Sequence, residues 1–307
     1  MARGMIRFRL GSRGSPLALV QAGLVRDALC AAHSWAADEV SVTVIRTTGD
    51  RVQDRALAEI GGKALWTKEL DRALLAGEID AAVHSMKDVE TVRPAAIRIA
   101  AMLPRADVRD RLIGAASIAA LPQGARIGTS SPRRAAQLRR LRPDLEPVLF
   151  RGNVDTRLAK LAAGEVAATL LAAAGLDRLG RGEVGVAIEV ATMLPAPAQG
   201  AVGIEVRADD AEAQRVVAAI DHAPTSLCVA AERALLAALV ADCHSPVGAL
   251  ATLASETLTL AAELLSEDGG AHVSGQASGT DPAAVGATLA ADLLARAPDA
   301  VRRLFAG

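Results

Sequence analysis

The sequence predicts an α/β protein in which two similar lobes precede a small α+β domain. Short apolar runs alternate with amphipathic stretches that stop at glycine, the pattern of strands and helices around a mainly parallel sheet. A Ser-Pro pair opens a predicted helix after a predicted strand at Ser15 and again at Ser131, which favours two similar lobes. From about residue 221 the pattern changes to one long helix, two strands and a closing helix.

The first lobe begins with a predicted strand at residues 6–10, a glycine turn that contains Arg13, and a helix whose first position is Pro16. The free N–H groups at such a helix start can bind an anion, although the pattern also fits a tight turn. Residues 40–46 alternate apolar and polar side chains and predict a second strand. Residues 48–63 are rich in charge and glycine and are predicted to form a surface loop and candidate lid.

A predicted helix at residues 67–76 leads to a buried strand at residues 79–83 and then to an acid, Asp88. The four residues between strand and acid are polar or flexible: His84, Ser85, Met86 and Lys87. Ligands of open α/β sheets bind at the carboxyl ends of strands, which is where Asp88 falls. A loop with a solvated Lys-Asp pair is the alternative interpretation of this segment.

The second lobe starts after Pro104 and repeats the alternation. Its predicted strands are 125–128, 148–150 and 166–172. A helix from Val154 to a stop at Gly164 contains Arg157, and prolines at 195–197 mark a boundary before a strand at 200–206. The predicted elements of the last segment are a helix at 226–240, strands at 258–265 and 272–277, and a helix at 283–296.

Length and composition narrow the class of protein. The 307 residues suffice for two or three domains, and the formal net charge of −1 predicts neither a nucleic-acid nor a membrane-surface role. With 2% aromatic residues and no tyrosine, the core must consist of Ala, Leu, Val and Ile. The sequence contains no apolar run of about 18 residues and no apolar signal-peptide region, so a cytoplasmic location is expected.

The three cysteines, an odd and sparse set, argue against a disulfide scaffold. Cys30 and Cys228 lie in apolar helical patterns and are expected to be buried, inert thiols. Cys243 lies in the polar run DCHSPVG, which predicts a loop, and it is either a functional thiol or an ordinary loop residue. The five histidines show no metal-ligand spacing, so no metal site is expected.

Basic residues are concentrated between Arg126 and Lys160. This stretch contains nine basic and three acidic residues, which gives a local net charge of +6. Arg133 and Arg134 start a predicted helix, where the helix dipole makes a cation cost a few tenths to about 1 kcal/mol. An anion is therefore expected to offset their charge. Three further arginines are expected on a solvated face: Arg139, Arg140 and Arg142.

The chemistry of the cluster favours small carboxylates over nucleic acid as its partner. Single-stranded nucleic acid is held by stacking on aromatic side chains, and Phe150 is the only aromatic residue in this stretch. Arginine, in contrast, binds carboxylates through two parallel hydrogen bonds.

Several motifs, ordered along the chain, resemble those of the porphobilinogen deaminase (hydroxymethylbilane synthase) family. They are GSRGSPLALVQA from Gly11, HSMKDV from His84, GTSSPRR from Gly128, RGNVDTRLAKL from Arg151, AAAGLDRLG from Ala172, PAQGAVGIE from Pro197 and the Cys-x-x-Pro-x-Gly loop from Cys243. The resemblance implies two periplasmic-binding-protein-like lobes with a cleft between them and a small α+β domain that carries the cofactor cysteine. The implied domains are 1–102 with 197–219, 103–196, and 220–307.

The family condenses four porphobilinogens, each losing ammonia, into the linear tetrapyrrole hydroxymethylbilane. The growing chain is held by a thioether to a dipyrromethane cofactor, and the resemblance implies that Cys243 is its attachment point. It also implies that Asp88 is the catalytic carboxylate, which stabilises the cationic azafulvene and handles the pyrrole N–H. The implied partners are small molecules, with no nucleic acid and no membrane, and the implied oligomeric state is a monomer.

Each pyrrole ring carries an acetate and a propionate, so the resemblance implies many anion-binding side chains. Those implied for the cofactor, besides Cys243, are Ser85, Lys87, Thr129, Ser131, Arg133 and Arg134. Those implied for the substrate are Arg13, Gln21, Lys63, Trp66, Arg151, Arg157 and Arg178. For Trp66, a core position against the helix at 67–76 is an equal alternative to lining the cleft.

Four residues depart from the commonest family pattern: Ala64 and Ala198 replace Gly, Trp66 replaces Phe, and Glu90 replaces Pro. None removes a charged or nucleophilic group, so they bear on the shape of the active-site loop. A non-catalytic binding protein for organic anions is the alternative function, because two lobes around an arginine-lined cleft would also suit it. The loop thiol and the missing export signal argue against that alternative.

Overall fold

The computed structural model describes residues 6–45 and 67–305. The predictions made for residues 48–63, and for Arg46, Lys63, Ala64 and Trp66, lie outside these residues. The chain divides into two compact units, Met1–Ala106 with Ala201–Ser226, and Asp107–Gly200 with Leu227–Gly307.

Strands and helices alternate through most of the described chain. The strands are β1 (Phe8–Arg13), β2 (Val40–Ile45), β3 (Ala81–Ser85), β4 (Ile97–Met102), β5 (Asp110–Ile113), β6 (Arg126–Thr129), β7 (Glu146–Leu149), β8 (Ala168–Ala172), β9 (Val186–Ala187), β10 (Val202–Arg207), β11 (Val247–Ala254), β12 (Thr257–Leu265) and β13 (His272–Gly279). The helices are α1 (Pro16–His33), α2 (Lys68–Leu75), α3 (Pro132–Leu141), α4 (Val154–Ala162), α5 (Ala173–Arg178), α6 (Ala211–Ala218), α7 (Ala223–Ala238), α8 (Pro282–Arg296) and α9 (Asp299–Arg302).

The first unit contains a five-stranded sheet in the order β2-β1-β3-β10-β4. Strands β1, β2 and β3 are parallel, and β10 runs antiparallel to both β3 and β4. The sheet's core is aliphatic, with Leu10, Val83 and Ile204 among its buried side chains. The aliphatic core expected from the scarcity of aromatic residues is therefore confirmed for this unit.

The second unit repeats this arrangement in the order β7-β6-β8-β5-β9. Its strands β6, β7 and β8 are parallel, and β5 runs antiparallel to β8 and β9. In each sheet the second strand of the order, β1 or β6, leads into a helix through a Ser-Pro pair. The serine hydroxyl accepts a backbone N–H, Ser15 from Ala18 (3.3 Å) and Ser131 from Arg134 (3.4 Å). The predicted similarity of the two lobes is confirmed as a shared topology.

The second unit also contains a small α+β region, as the sequence predicts. Strands β11, β12 and β13 form an antiparallel sheet, and side chains of α7 and α8 pack on it. Leu235, Leu260 and Leu289 are among the fully buried side chains of this core.

The structure corrects several predicted bounds. The expected turn at 11–13 is instead the end of β1, and a side chain at Gly11 would overlap Ile79, which explains a glycine inside this strand. Strands β4, β5, β9 and β11 were not predicted. Cys228 is buried as expected, but Cys30 is half-buried, because its side of α1 lies near the edge of the core.

Candidate active site

The carboxyl ends of the parallel strands in the first unit bring together several predicted site residues. Leu10 pairs with Ala81 in parallel register, so Arg13 at the end of β1 and Ser85 at the end of β3 lie at one sheet edge. Ligand sites of open α/β sheets form at such an edge.

A short 3₁₀ turn at Met86–Asp88 follows β3 and presents Lys87 and Asp88, both half-buried. The turn is seated by Met86, whose side chain is buried against β10. A side chain at Gly203 would overlap the Met86 thioether, so glycine is needed at this position. The sequence placed the acid correctly at a strand end, but His84 and Ser85 belong to the strand itself.

The Asp88 carboxylate has no hydrogen bond and no ion pair with any described residue. Its neighbour Glu90, in contrast, accepts the Thr67 hydroxyl at 2.8 Å and pairs with Arg93 at 2.6 Å. A half-buried carboxylate with no partner among the described residues is accessible to a bound group.

The Ser85 hydroxyl is held by a residue of α1. Gln21 is buried, and its Nε2 donates to Ser85 Oγ at 2.8 Å. Gln21 was predicted to bind substrate. In the structure its amide is hydrogen-bonded to Ser85, and its assignment to the substrate stays a prediction.

In the second unit, the Thr129–Ser131 segment and Arg157 lie together. Thr129 is buried at the end of β6, and its hydroxyl accepts the Ser131 N–H at 3.1 Å. Arg157 of α4 donates to Ser130 Oγ and to the Gly152 carbonyl, both at 3.0 Å. The strand end and the arginine are therefore parts of one arrangement.

Two further predicted arginines keep unused hydrogen-bonding capacity. Arg151 follows β7, and its buried Nη1 has no hydrogen-bond partner in the described part of the chain. Arg178 ends α5 and donates to the Gly200 carbonyl at 2.7 Å. Burial lowers the pKa of Arg178, and the charge of Asp177 offsets this in part. Because a buried donor needs an acceptor, a ligand carboxylate would be a suitable partner for Arg151 Nη1.

Arg133 and Arg134 were expected to pair with an anion. In the structure both pair with a carboxylate of the chain itself. Both are buried and pair with the fully buried Asp110 of β5, at 2.8 Å and 2.6 Å. Burial alone would raise the pKa of Asp110, but the charges of the two arginines hold it well below its ordinary value. Gln199 also donates to this carboxylate at 2.9 Å. The anion that offsets their charge in the structure is thus Asp110, and their assignment to the cofactor stays a prediction.

Arg140 and Arg142, which were predicted to lie on a solvated face, are half-buried and each lies beside a carboxylate. Arg140 lies 3.4 Å from Glu263 of β12 with its side chain 27% exposed, and Arg142 pairs with Asp144 at 2.7 Å. Glu263 also accepts the Gln137 amide. The sequence could not reveal the contacts of Glu263 with Arg140 and Gln137, because Glu263 is distant from both in the chain.

The thiol of Cys243 lies in the loop between α7 and β11 and is exposed. Its Sγ is 3.5 Å from His244 Nδ1, and the His244 N–H donates to Asp242 at 2.9 Å. The predicted loop is confirmed. Over residues 6–45 and 67–305, no three metal-ligating side chains are grouped and no helix is long and apolar enough to cross a bilayer.

The sequence interpretation missed a buried ionic network behind the Asp88 turn. Arg93 pairs there with three carboxylates: Asp71, Glu90 and Glu205. Two signals pointed to it, since Glu205 ends the PAQGAVGIE motif and Glu90 replaces the usual proline.

Comparisons with known proteins test the family directly. Residues 8–215 match the family model described as porphobilinogen deaminase, dipyromethane cofactor binding domain, and residues 226–295 match its C-terminal domain. The chain is 60% identical to porphobilinogen deaminase of Sphingopyxis alaskensis, over 97% of this chain and 96% of that protein. It is 52% identical to the Paracoccus denitrificans protein of the same name, over 95% of each.

A solved periplasmic binding protein of Salmonella typhimurium with high arginine specificity aligns with 69% of this chain and 90% of its own, at 13% identity and a TM-score of 0.38. Similarity at this level supports no inference about function. The two domain models and the two relatives cover nearly the whole chain, in the order in which its motifs occur. The chain therefore belongs to the porphobilinogen deaminase family.

Proposed function

We propose that this chain is a hydroxymethylbilane synthase, which condenses four porphobilinogens with release of ammonia. Membership of the family over nearly the full length supports this reaction. The observation that carries the proposal is the half-buried Asp88 carboxylate, which ends the β3 segment and has no partner among the described residues.

Asp88 acts on the charge that the reaction creates. A positive charge develops on the substrate as ammonia leaves, and a carboxylate about 4 Å away stabilises it by about 4 kcal/mol at an effective dielectric of 20. Because the charge is absent from the free substrate, the stabilisation appears in the chemical step rather than in binding.

The cationic side chains bind the acetate and propionate groups. Arg151 and Arg178 supply unused N–H donors, and Arg157 lies beside the hydroxyl groups at 129–131. Arg13 and Lys87 supply charge at the carboxyl ends of β1 and β3 in the first unit. Gln21, Lys63 and Trp66 complete the proposed substrate set.

The residues present fit a dipyrromethane cofactor. An exposed thiol in a loop suits a thioether. The buried Nη1 of Arg151, which has no hydrogen-bond partner among the described residues, suits a pyrrole carboxylate. When bound, this group supplies the primer that is extended. Cys243 would attach it. The side chains proposed to hold its carboxylates are Ser85, Lys87, Thr129, Ser131, Arg133 and Arg134.

The proposed organisation has three domains: 1–102 with 197–219, 103–196, and 220–307. We further propose a cytoplasmic monomer that takes a small-molecule substrate and no nucleic-acid or membrane partner. Light scattering on the purified chain should give the mass of one copy, and the mass of two copies would contradict the monomer.

Intact mass spectrometry tests the function. The purified chain should carry a covalent excess of one dipyrromethane and should release ammonia from porphobilinogen. Cys243→Ser should lack both the adduct and the activity, whereas Cys30→Ala and Cys228→Ala should retain them. An unmodified, inactive wild-type chain would favour an organic-anion binding protein, and an adduct retained in Cys243→Ser would place the attachment elsewhere.

A further inference from the structure

One buried carboxylate, that of Glu205, joins the two ends of the segment that carries Asp88. Glu205 is fully buried on β10, opposite Ala82 of β3. Its Oε2 lies 3.2 Å from Nε2 of His84, which precedes the Asp88 turn. Its two oxygens also accept hydrogen bonds from Nε and Nη2 of Arg93, both at 2.8 Å. Arg93 follows the Asp88 turn in the chain. The residues on either side of the Asp88 turn, His84 and Arg93, therefore contact the same carboxylate.

The Arg93 guanidinium extends this connection to α2. Its side chain is only 8% exposed, and it donates to Glu90 at 2.6 Å and to Asp71 at 2.5 Å. Glu90 in turn accepts the hydroxyl of Thr67, a fully buried residue that precedes α2. A planar guanidinium with several fixed acceptors holds its partners in defined directions.

The side chains of this network are charged and largely buried, so their ion pairs strongly restrict how they can move. Burial alone would raise the pKa of Glu205, but His84 and Arg93 lower it to about 2. Burial raises the pKa of Asp71, against the effect of Arg93. Removing the guanidinium would leave several buried carboxylates without a cation, which strongly favours the observed pairing over any partial opening.

Asp88 depends on this framework because its own carboxylate has no partner in the described part of the chain. The turn itself is held by two backbone bonds, Met86 N–H to the Ala201 carbonyl (3.1 Å) and Val89 N–H to the Met86 carbonyl (3.2 Å). The segment after Val89 has no strand pairing before β4, and Arg93 connects its far end to the buried Glu205 of β10.

We propose that Arg93 is a positioning residue for Asp88, and that Glu90 assists it through the ion pair that takes the place of the usual proline. The role in catalysis rests on the proposed function. A displacement of a reacting group by about 1 Å can cost about a hundredfold in rate, so a loosened turn should affect turnover more than binding.

The test compares Arg93→Met with Arg207→Met. Arg207 lies on the same strand as Glu205 but binds the Leu74 and Ile79 carbonyls, away from the Asp88 segment. For Arg93→Met we expect kcat to fall about a hundredfold with KM within about threefold, and amide hydrogen exchange in a peptide spanning residues 84–93 to accelerate. Arg207→Met should keep kcat within about threefold and leave that peptide unchanged.

Two gentler variants apply if Arg93→Met does not fold. Arg93→Lys keeps the charge but loses the planar geometry and should recover part of kcat. Glu90→Gln keeps the shape and loses one ion pair, so kcat should fall about tenfold. The proposal would be overturned if Glu90→Gln and Arg93→Lys showed the same kcat and the same hydrogen exchange as the control Arg207→Met. An inactive wild type would contradict the proposed function instead, and hydrogen exchange would still decide whether Arg93 holds the segment.

Discussion

At the scale of single residues, the half-buried carboxylate of Asp88 allows the sharpest prediction. Asp88→Asn keeps the size and removes the charge, and a loss of about 4 kcal/mol corresponds to roughly a thousandfold in kcat. Asp88→Glu keeps the charge but displaces it, so its kcat should lie between those of wild type and Asp88→Asn. Steady-state kinetics give kcat and KM, and thermal unfolding run in parallel excludes damage to the fold. Folded Asp88→Asn with kcat within about tenfold of wild type would show that Asp88 is not the charge stabiliser.

The arginines of the second unit should separate into two groups. Arg151→Leu and Arg157→Leu remove donors intended for a ligand and should weaken binding or turnover by roughly tenfold to a few hundredfold with little change in stability. Arg134→Leu removes a buried partner of Asp110 and should lower the unfolding free energy by about 3–5 kcal/mol.

Kinetics and urea unfolding of the same variants check this division. Arg126→Leu is the matched control, because Arg126 is an exposed residue at the opposite end of β6 from Thr129. Equal kinetic losses in all four variants would mean that the basic cluster acts only as a diffuse field.

The role of a residue could be predicted from the sequence only where the residue lies in a motif that resembles the family's. The doublet Arg133-Arg134 indicated an anion, but no local pattern distinguishes a buried acid such as Asp110 from a surface one. Ala198, which stands in place of the usual glycine, adopts a φ of +61° and donates its N–H to Glu232. That left-handed backbone is the physical reason for glycine at this position, and it became visible only in the structure.

At the scale of elements, strands and helices with strong periodicity could be predicted and weak ones could not. The alternation around α1 and α3, each begun by Ser-Pro, indicated the repeated sheet topology. Strand β11 escaped prediction because its sequence VGALATLA is rich in Ala, a poor strand former. The pairing of β10 with β3 and β4 joins distant parts of the chain, which no local pattern can reveal.

The ion pairs of β10 predict an acid-dependent stability. The pKa of Glu205 is lowered to about 2 in the folded protein, from an ordinary value of about 4.3. The unfolded chain therefore binds the proton first as the pH falls, so the stabilisation is complete above about pH 4.5 and is lost toward pH 2. A shift of this size corresponds to about 3 kcal/mol at neutral pH.

Urea unfolding of wild type and Glu205→Gln should show this directly. The stability difference between them should be largest at neutral pH and should shrink steadily below about pH 4.5. Glu256→Gln, which changes an exposed residue of the β11–β12 turn, should show no such trend. A difference that is constant with pH would mean that Glu205 is not held ionised by Arg93 and His84.

At the scale of the whole molecule, the chain forms two compact units, and the second combines a five-stranded sheet with the C-terminal α+β region. Polar contacts inside this unit connect the two parts. The Ala249 N–H donates to the Pro195 carbonyl at 2.9 Å, and Gln137 of α3 donates to Glu263 of β12. We therefore expect these parts to unfold together, although their cores and sheets are separate.

Glu232 should be the residue on which this coupling depends most. Its fully buried carboxylate accepts the N–H of Ala198 at 2.5 Å and the N–H of Ala251 at 2.8 Å, one from each part of the unit. A hydrogen bond to a charged group contributes about 1.5–3 kcal/mol, so Glu232→Ala should lower the stability of the second unit by about 3 kcal/mol or more. Hydrogen exchange should accelerate in both β8 and β12 but not in β1, and Glu256→Ala should leave all three unchanged. Acceleration confined to β12 would mean that the C-terminal region opens independently, as a separate domain would.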